Sequence, residues 1–131
     1  MDIIQKILGN ERYKVVMKDK VNFKNPNTYL KTVTSFANGK CIGYIIFGIE
    51  PENKEIIGIK NVKKAYKEIF KEIKTKIFPD LIPIIEIINI NARNIVLLKI
   101  FPGKNIRYYY LNTKRKSVYK KKRYIENSNK K

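Results

Sequence analysis

The sequence predicts an α+β fold: a single compact domain in which a mixed or antiparallel sheet, built largely of hairpins, packs with two main helices. Three observations carry this expectation. Long stretches of helical periodicity occur around residues 25–38 and 61–77, and β-branched runs of strand length lie at 43–59 and 84–101 with turn residues between them. The two kinds of segment follow one another without the regular alternation that a wholly parallel βαβ succession requires. The third is size: 131 residues that are 44% hydrophobic suit one packed core.

In chain order, Asp2 to Leu8 reads as a short amphipathic helix with Ile3, Ile4 and Ile7 on one side and Gly9 as its stop. Tyr13 to Lys18 alternates loosely and reads as a strand. Asn25-Pro26-Asn27-Thr28 begins a helix, because proline has its φ preset for a first turn, and Leu30, Val33, Phe36 and Ala37 recur at helical spacing until Gly39. Asn38 is suited to capping this helix in a left-handed conformation. Gly43 to Ile49 is an apolar run of strand length, and Glu55 to Ile59 returns after the turn Pro51-Glu52-Asn53-Lys54, giving an expected hairpin. From Asn61 to Ile77 the apolar stripe is unbroken: Val62, Ala65, Tyr66, Ile69, Phe70, Ile73 and Ile77. Lys63, Lys64, Lys67, Lys71 and Lys74 lie off that stripe with Glu68 and Glu72 among them, which reads as a solvated face with helical ion pairs. Pro79 follows as a terminator. Ile84 to Ile90 and Ile95 to Phe101 form a second expected hairpin around Asn91-Ala92-Arg93-Asn94, and Arg107 to Leu111 with Ser117 to Lys120 a third pair. The expected core is Val33, Phe36, Ile45, Phe47, Ala65, Ile69, Ile73, Val96 and Leu98. The domain is expected to occupy residues 1–121, with 122–131 a basic mobile tail too polar to pack.

Charge is the strongest functional signal. Lys and Arg number 29 against 11 Asp and Glu, for a formal +18 and a pI near 10.0. An AT-rich coding sequence would raise Lys, Ile and Asn together, but glutamate is encoded as cheaply and is scarce, so the excess points to a polyanionic partner. Histidine is absent and Cys41 is the single cysteine. Disulfides within the chain, zinc sites built on Cys or His, and histidine-based nucleophile relays are thereby excluded. No apolar run approaches a membrane span, and the N-terminus lacks the basic start and long apolar stretch of a secretory signal, so a cytoplasmic location is expected. Neither Walker nor Rossmann glycine spacing occurs, which argues against a nucleotide loop; Gly43 and Gly48 read as sites of tight turning or close packing.

Tyr29-Leu30-Lys31-Thr32-Val33-Thr34-Ser35-Phe36-Ala37-Asn38, then Gly43-Tyr44-Ile45-Ile46-Phe47-Gly48-Ile49 and Ile56-Ile57-Gly58, resembles the core of the Schlafen AlbA-type domain found in bacterial transcriptional regulators. The likeness continues through the long helix, Pro79, the strand at Asn94 to Ile100, Arg107-Tyr108-Tyr109-Tyr110 and Val118-Tyr119, so that it runs from about Glu11 to Lys121. The resemblance implies a nucleic-acid-binding domain of a larger regulator. Some Schlafen-type domains are ribonucleases whose clustered carboxylates hold Mg²⁺ or Mn²⁺, ions that need hard oxygen ligands. The corresponding positions are Glu11, Val16 and Glu50, and valine cannot ligate a metal, so the expectation is a binding domain with no catalytic residue, no metal site and no cofactor.

The expected contact residues lie in the C-terminal quarter: Arg107, Tyr108, Tyr110, Lys114, Arg115, Lys116, Lys120, Lys121, Lys122 and Arg123. Cations there neutralise phosphates and release counterions, and interleaved tyrosines stack on bases. Strand alternation sets Tyr108 and Tyr110 on one face and Tyr109 on the other, so at least one belongs to the core. The expected partner is DNA, with RNA the alternative; self-association and further domains of a longer chain complete the expectation. The rival readings are a divergent metal-dependent ribonuclease and a protein-interaction or oligomerisation module.

Overall fold

The computed structural model describes residues 3–104 and 107–111. Ser117 to Lys120 and the 122–131 tail therefore lie outside the described residues. The elements are α1 (Ile3–Leu8), β1 (Lys14–Lys18), α2 (Asn27–Ala37), β2 (Gly43–Phe47), α3 (Val62–Lys76), β3 (Ile77–Phe78), β4 (Ile84–Ile90), β5 (Arg93–Ile100) and β6 (Tyr109–Tyr110). Four strands form a mixed sheet in the order β1-β2-β5-β4, and β3 and β6 form a separate two-stranded sheet. This is the α+β architecture the sequence predicts.

The sheet contains a crossover and a hairpin. α2 carries the chain from β1 to the parallel strand β2, and β5 then runs antiparallel to both β2 and β4. β4 and β5 are joined by Asn91 and Ala92, both at positive φ (51° and 66°), the two-residue turn whose twist matches its strands. Because β2 and β5 are central, their side chains are buried on both faces. Ile45, Phe47, Val96, Leu98 and Ile100 point to α2 and α3, where they meet Tyr29, Leu30, Val33, Ala65, Ile69 and Ile73. Tyr44, Ile46, Ile95 and Leu97 point the other way and meet Ile4 and Ile7 of α1. Every residue of the expected core belongs to the first cluster, Phe36 at its partly buried margin.

Four local expectations need correction. Ile3 faces solvent at 40% exposure while Ile4 and Ile7 are buried, since a six-residue helix offers only a narrow contact stripe. The hairpin expected across 43–59 reduces to one bridge, Ile49 to Ile56. Its turn is closed instead by Glu50, whose Oε1 accepts the N–H groups of Glu52 and Asn53, and the Gly48 carbonyl then takes both Ile57 and Gly58 N–H, at 2.7 and 2.9 Å. Gly48 itself sits at φ 109°, a conformation in which a side chain is strained. Third, the long helix stops at Lys76, before Pro79: the residue preceding a proline avoids helical geometry, and Ile77 and Phe78 go extended to pair with Tyr110 and Tyr109. Tyr109 and Tyr110 thus pair with β3, a partner the sequence does not signal, while the expected pairing with Ser117 to Lys120 falls on residues outside the described ones. Finally, Asn38 is not left-handed, its φ being −87°.

Candidate functional site

Asn38 does a different job. It stands just past α2 with its side-chain amide turned to the backbone of Tyr108, 70 residues away: Nδ2 donates to the Tyr108 carbonyl at 3.0 Å, and Oδ1 accepts the Tyr108 N–H at 2.7 Å. One side chain thus supplies both partners that a neighbouring strand would give. The Gly103 N–H donates to the Ala37 carbonyl at 2.6 Å, and the Tyr108 ring lies where a side chain at position 103 would otherwise stand. Leu111 N–H closes the segment by donating to Lys76 at the end of α3, at 2.9 Å. Around this tie is an open groove of about 470 Å³ whose lining includes Lys40, Lys104 and Arg107.

The expected contact residues divide accordingly. Arg107 is exposed in the groove, while Tyr108 and Tyr110 are half-buried against the α2 and α3 side of the core. Tyr109 turns the other way and its ring meets that of Phe78, centroids 5.9 Å apart, so the alternation of the three tyrosines is as the sequence predicts. Lys114, Arg115, Lys116, Lys120, Lys121, Lys122 and Arg123 lie outside the described residues.

A second basic surface lies on α3. Lys60, Lys63, Lys64, Lys67, Lys71 and Lys74 are exposed, and four of them line an open groove of about 410 Å³ together with Asn61 and Glu68. The ion pairs expected on this face do not form. Glu72 is buried and pairs inward with Lys76 at 2.8 Å, the one ion pair among the described residues. Beneath α3, burial pushes the Tyr29 phenol well above its ordinary range, and the fields of Glu72 and then Glu68 add to the effect. Lys64 instead holds its ammonium 4.9 Å from the centre of the exposed Phe23 ring. Tyr66 and Phe70, which the periodicity assigns to the core stripe, stand at its border and are 37% and 43% exposed.

Of the positions matching the ribonuclease carboxylates, Glu11 is exposed, Val16 is in β1, and Glu50 is engaged by the turn it closes. Among the described residues no three Cys, Asp or Glu side chains are grouped to hold a metal, and no helix is long and apolar enough to cross a membrane.

The profile of the Schlafen, AlbA_2 family matches residues 11–129. The chain belongs to this family. The AlbA_2 match begins after α1 and takes in β1 through β6. No curated protein sequence matches the chain. Among solved structures, it is similar to the N-terminal domain of an ATP-dependent DNA helicase RecG-related protein from Nitrosomonas europaea. The TM-score is 0.54 at 14% identity, over 78% of this chain and 71% of that one. It is also similar to the DIP2311 protein from Corynebacterium diphtheriae, with TM-score 0.51 and 15% identity over 85% of this chain; it spans about a quarter (26%) of that protein. At these identities the likeness is one of fold.

Proposed function

We propose that this AlbA_2 domain binds nucleic acid, DNA in the first place, chiefly through the phosphate backbone. The observation that carries the reading is the unmet charge of the described residues, where 20 basic side chains face 9 acidic ones and a single ion pair forms. Positive charge left unpaired in this way repels itself and costs stability unless a polyanion meets it. Family membership and the likeness to a domain of a DNA helicase-related protein support the same partner. In this reading the C-terminal quarter is the main contact: Arg107 sits with Lys40 and Lys104 in the groove, and the cations from Lys114 to Arg123 extend that charge along the chain. The reading is of a binding domain in a transcriptional-regulator-like protein, acting without catalysis. Valine at position 16 and the use of the Glu50 carboxylate in closing a turn support the non-catalytic part of this reading.

Binding to duplex DNA should weaken steeply with salt, with a log–log slope of roughly −3 to −6, since each neutralised phosphate contributes about 0.9. Sequence preference should be weak because lysines act as point charges. Changing Lys120, Lys121, Lys122 and Arg123 together to Ser should flatten the slope by about 2 to 4. Absence of DNA affinity at low salt would sink the reading. Metal-dependent RNA cleavage abolished by Glu11→Gln would replace it with the enzyme.

A further inference from the structure

The groove beside Arg107 belongs to the site already described, but the outer face of α3 combines two features that duplex binding does not need together. At about 100° per residue, Lys63, Lys64, Lys67, Lys71 and Lys74 fall within a sector about 100° wide, opposite the buried Ala65, Ile69 and Ile73, and the exposed Lys60 stands just before the helix begins. None of these six has a carboxylate partner among the described residues. Three large aromatic rings border the sector. Tyr66 and Phe70, one turn apart, flank it on one side, and Phe23 lies on the other beneath the Lys64 ammonium. Each of the three is more than a third exposed, in positions where a buried helix border would ordinarily cover them.

Cations beside exposed rings are the elements of a single-strand platform: the ammonium groups follow the backbone, and the rings stack on bases that pairing does not hide. A duplex shields its base faces from such rings. From Lys63 to Lys74 the helix advances about 16 Å, which matches about five stacked nucleotides at 3.4 Å each. The face offers mainly ammonium groups and rings: Asn61 stands at its very start, Glu68 is half-buried and the Thr75 hydroxyl is bonded to the Lys71 carbonyl at 2.7 Å, so along the helix it has little with which to read a ribose 2′-hydroxyl. We infer that the lysine face of α3, with Tyr66, Phe70 and Phe23 at its borders, is a binding surface for single-stranded DNA. This inference rests on the proposal that the domain binds nucleic acid, and adds a second surface and a preference for unpaired bases.

The test uses the full chain and three fluorescent ligands: an oligo-dT, an oligo-rU of equal length and a duplex of equal length, each titrated at two salt concentrations. Tyr66→Leu with Phe70→Leu keeps apolar bulk on the helix but removes both rings. It should weaken oligo-dT binding at least about fivefold per ring used while leaving duplex affinity and the melting temperature unchanged. Lys63→Ser, Lys67→Ser and Lys71→Ser together should flatten the oligo-dT salt slope by about 2, at about 0.7 per phosphate on a single strand. Oligo-dT affinity unchanged in both variants overturns the inference, as does equal loss on the duplex when the rings are removed. Ring-dependent binding of oligo-rU more than tenfold tighter than of oligo-dT overturns the assignment to DNA. The unmodified chain ignoring all three ligands would instead overturn the parent proposal. Loss confined to the Lys120, Lys121, Lys122 and Arg123 variant would leave the parent standing and reject the α3 surface.

Discussion

Replacing Asn38 with Ala removes two hydrogen bonds at once and leaves both polar groups of the Tyr108 backbone without their partner. The bonds measure 3.0 and 2.7 Å and their environment is exposed, so water can take over part of what is lost. With a net worth of about 0.5–1.5 kcal/mol per bond, and the lower half of that range appropriate to an exposed pair, the expected loss is about 1–2 kcal/mol. For a domain of 131 residues that corresponds to a fall in Tm of roughly 3–10 °C. The more decisive assay is residue-resolved hydrogen exchange. The Tyr108 amide should lose protection in Asn38→Ala, while amides in the centre of β5, such as that of Leu98, stay protected up to the new global stability. Because the tie sets where the chain leaves the basic groove, DNA affinity should fall as well. An unchanged melt together with unchanged Tyr108 protection would refute the reasoning, since the two bonds would then contribute nothing in solution.

Two further perturbations test the core. Ile69→Asp places a carboxylate at a fully buried position on α3, a cost beyond the about 2–5 kcal/mol of simple truncation and comparable with the whole stability of a domain, so cooperative melting should vanish; a melt near the parent temperature would reject the helix register. Tyr29→Phe deletes a buried hydroxyl that has no hydrogen-bond partner among the described residues, so at neutral pH it should be neutral or slightly stabilising in a chemical denaturation. Its effect should grow in alkali. The folded chain holds the Tyr29 phenol protonated above its unfolded value of 10.0, so that contribution is intact below pH 10 and is lost at up to about 1.4 kcal/mol per pH unit above it. The Phe variant should therefore lose less stability than the parent between pH 10 and 11, and parallel alkaline profiles would contradict the burial of this ring.

What the sequence made legible is what short-range periodicity encodes. The stripe of α3 and the alternation of β2 and β5 identify the core because a buried face repeats every 3.6 or 2 residues whatever it packs against. The β4–β5 turn is legible in Asn91 for the same local reason. Periodicity misjudges Tyr66 and Phe70, because a stripe wide enough to include them is wider than the sheet face that α3 covers. It also overstates the strand after the expected turn at Pro51 to Lys54: the Glu50 side chain captures two backbone N–H groups there, and the segment of strand composition that follows keeps one bridge. The tie between Asn38 and Tyr108 had no signal in one sequence, since it joins residues 70 apart through an amide that local rules assign to capping. The lysines of α3 were visible as a face; that Glu72 turns inward, leaving them without carboxylates, depends on a tertiary contact.

The position of α1 bears on where this domain ends in physical terms. The family match begins at Glu11, yet Ile4 and Ile7, both before it, are 6% and 2% exposed because they close over Tyr44, Ile46 and Leu97. A chain trimmed to the matched residues would uncover the back of its two central strands while keeping every element of the family pattern. At about 25 cal/mol per Å², re-exposing two isoleucine side chains and the surface beneath them costs several kcal/mol, a large share of an ordinary domain's stability. The short opening helix thus serves as the back wall of the sheet, although it lies outside the stretch that sequence kinship delimits.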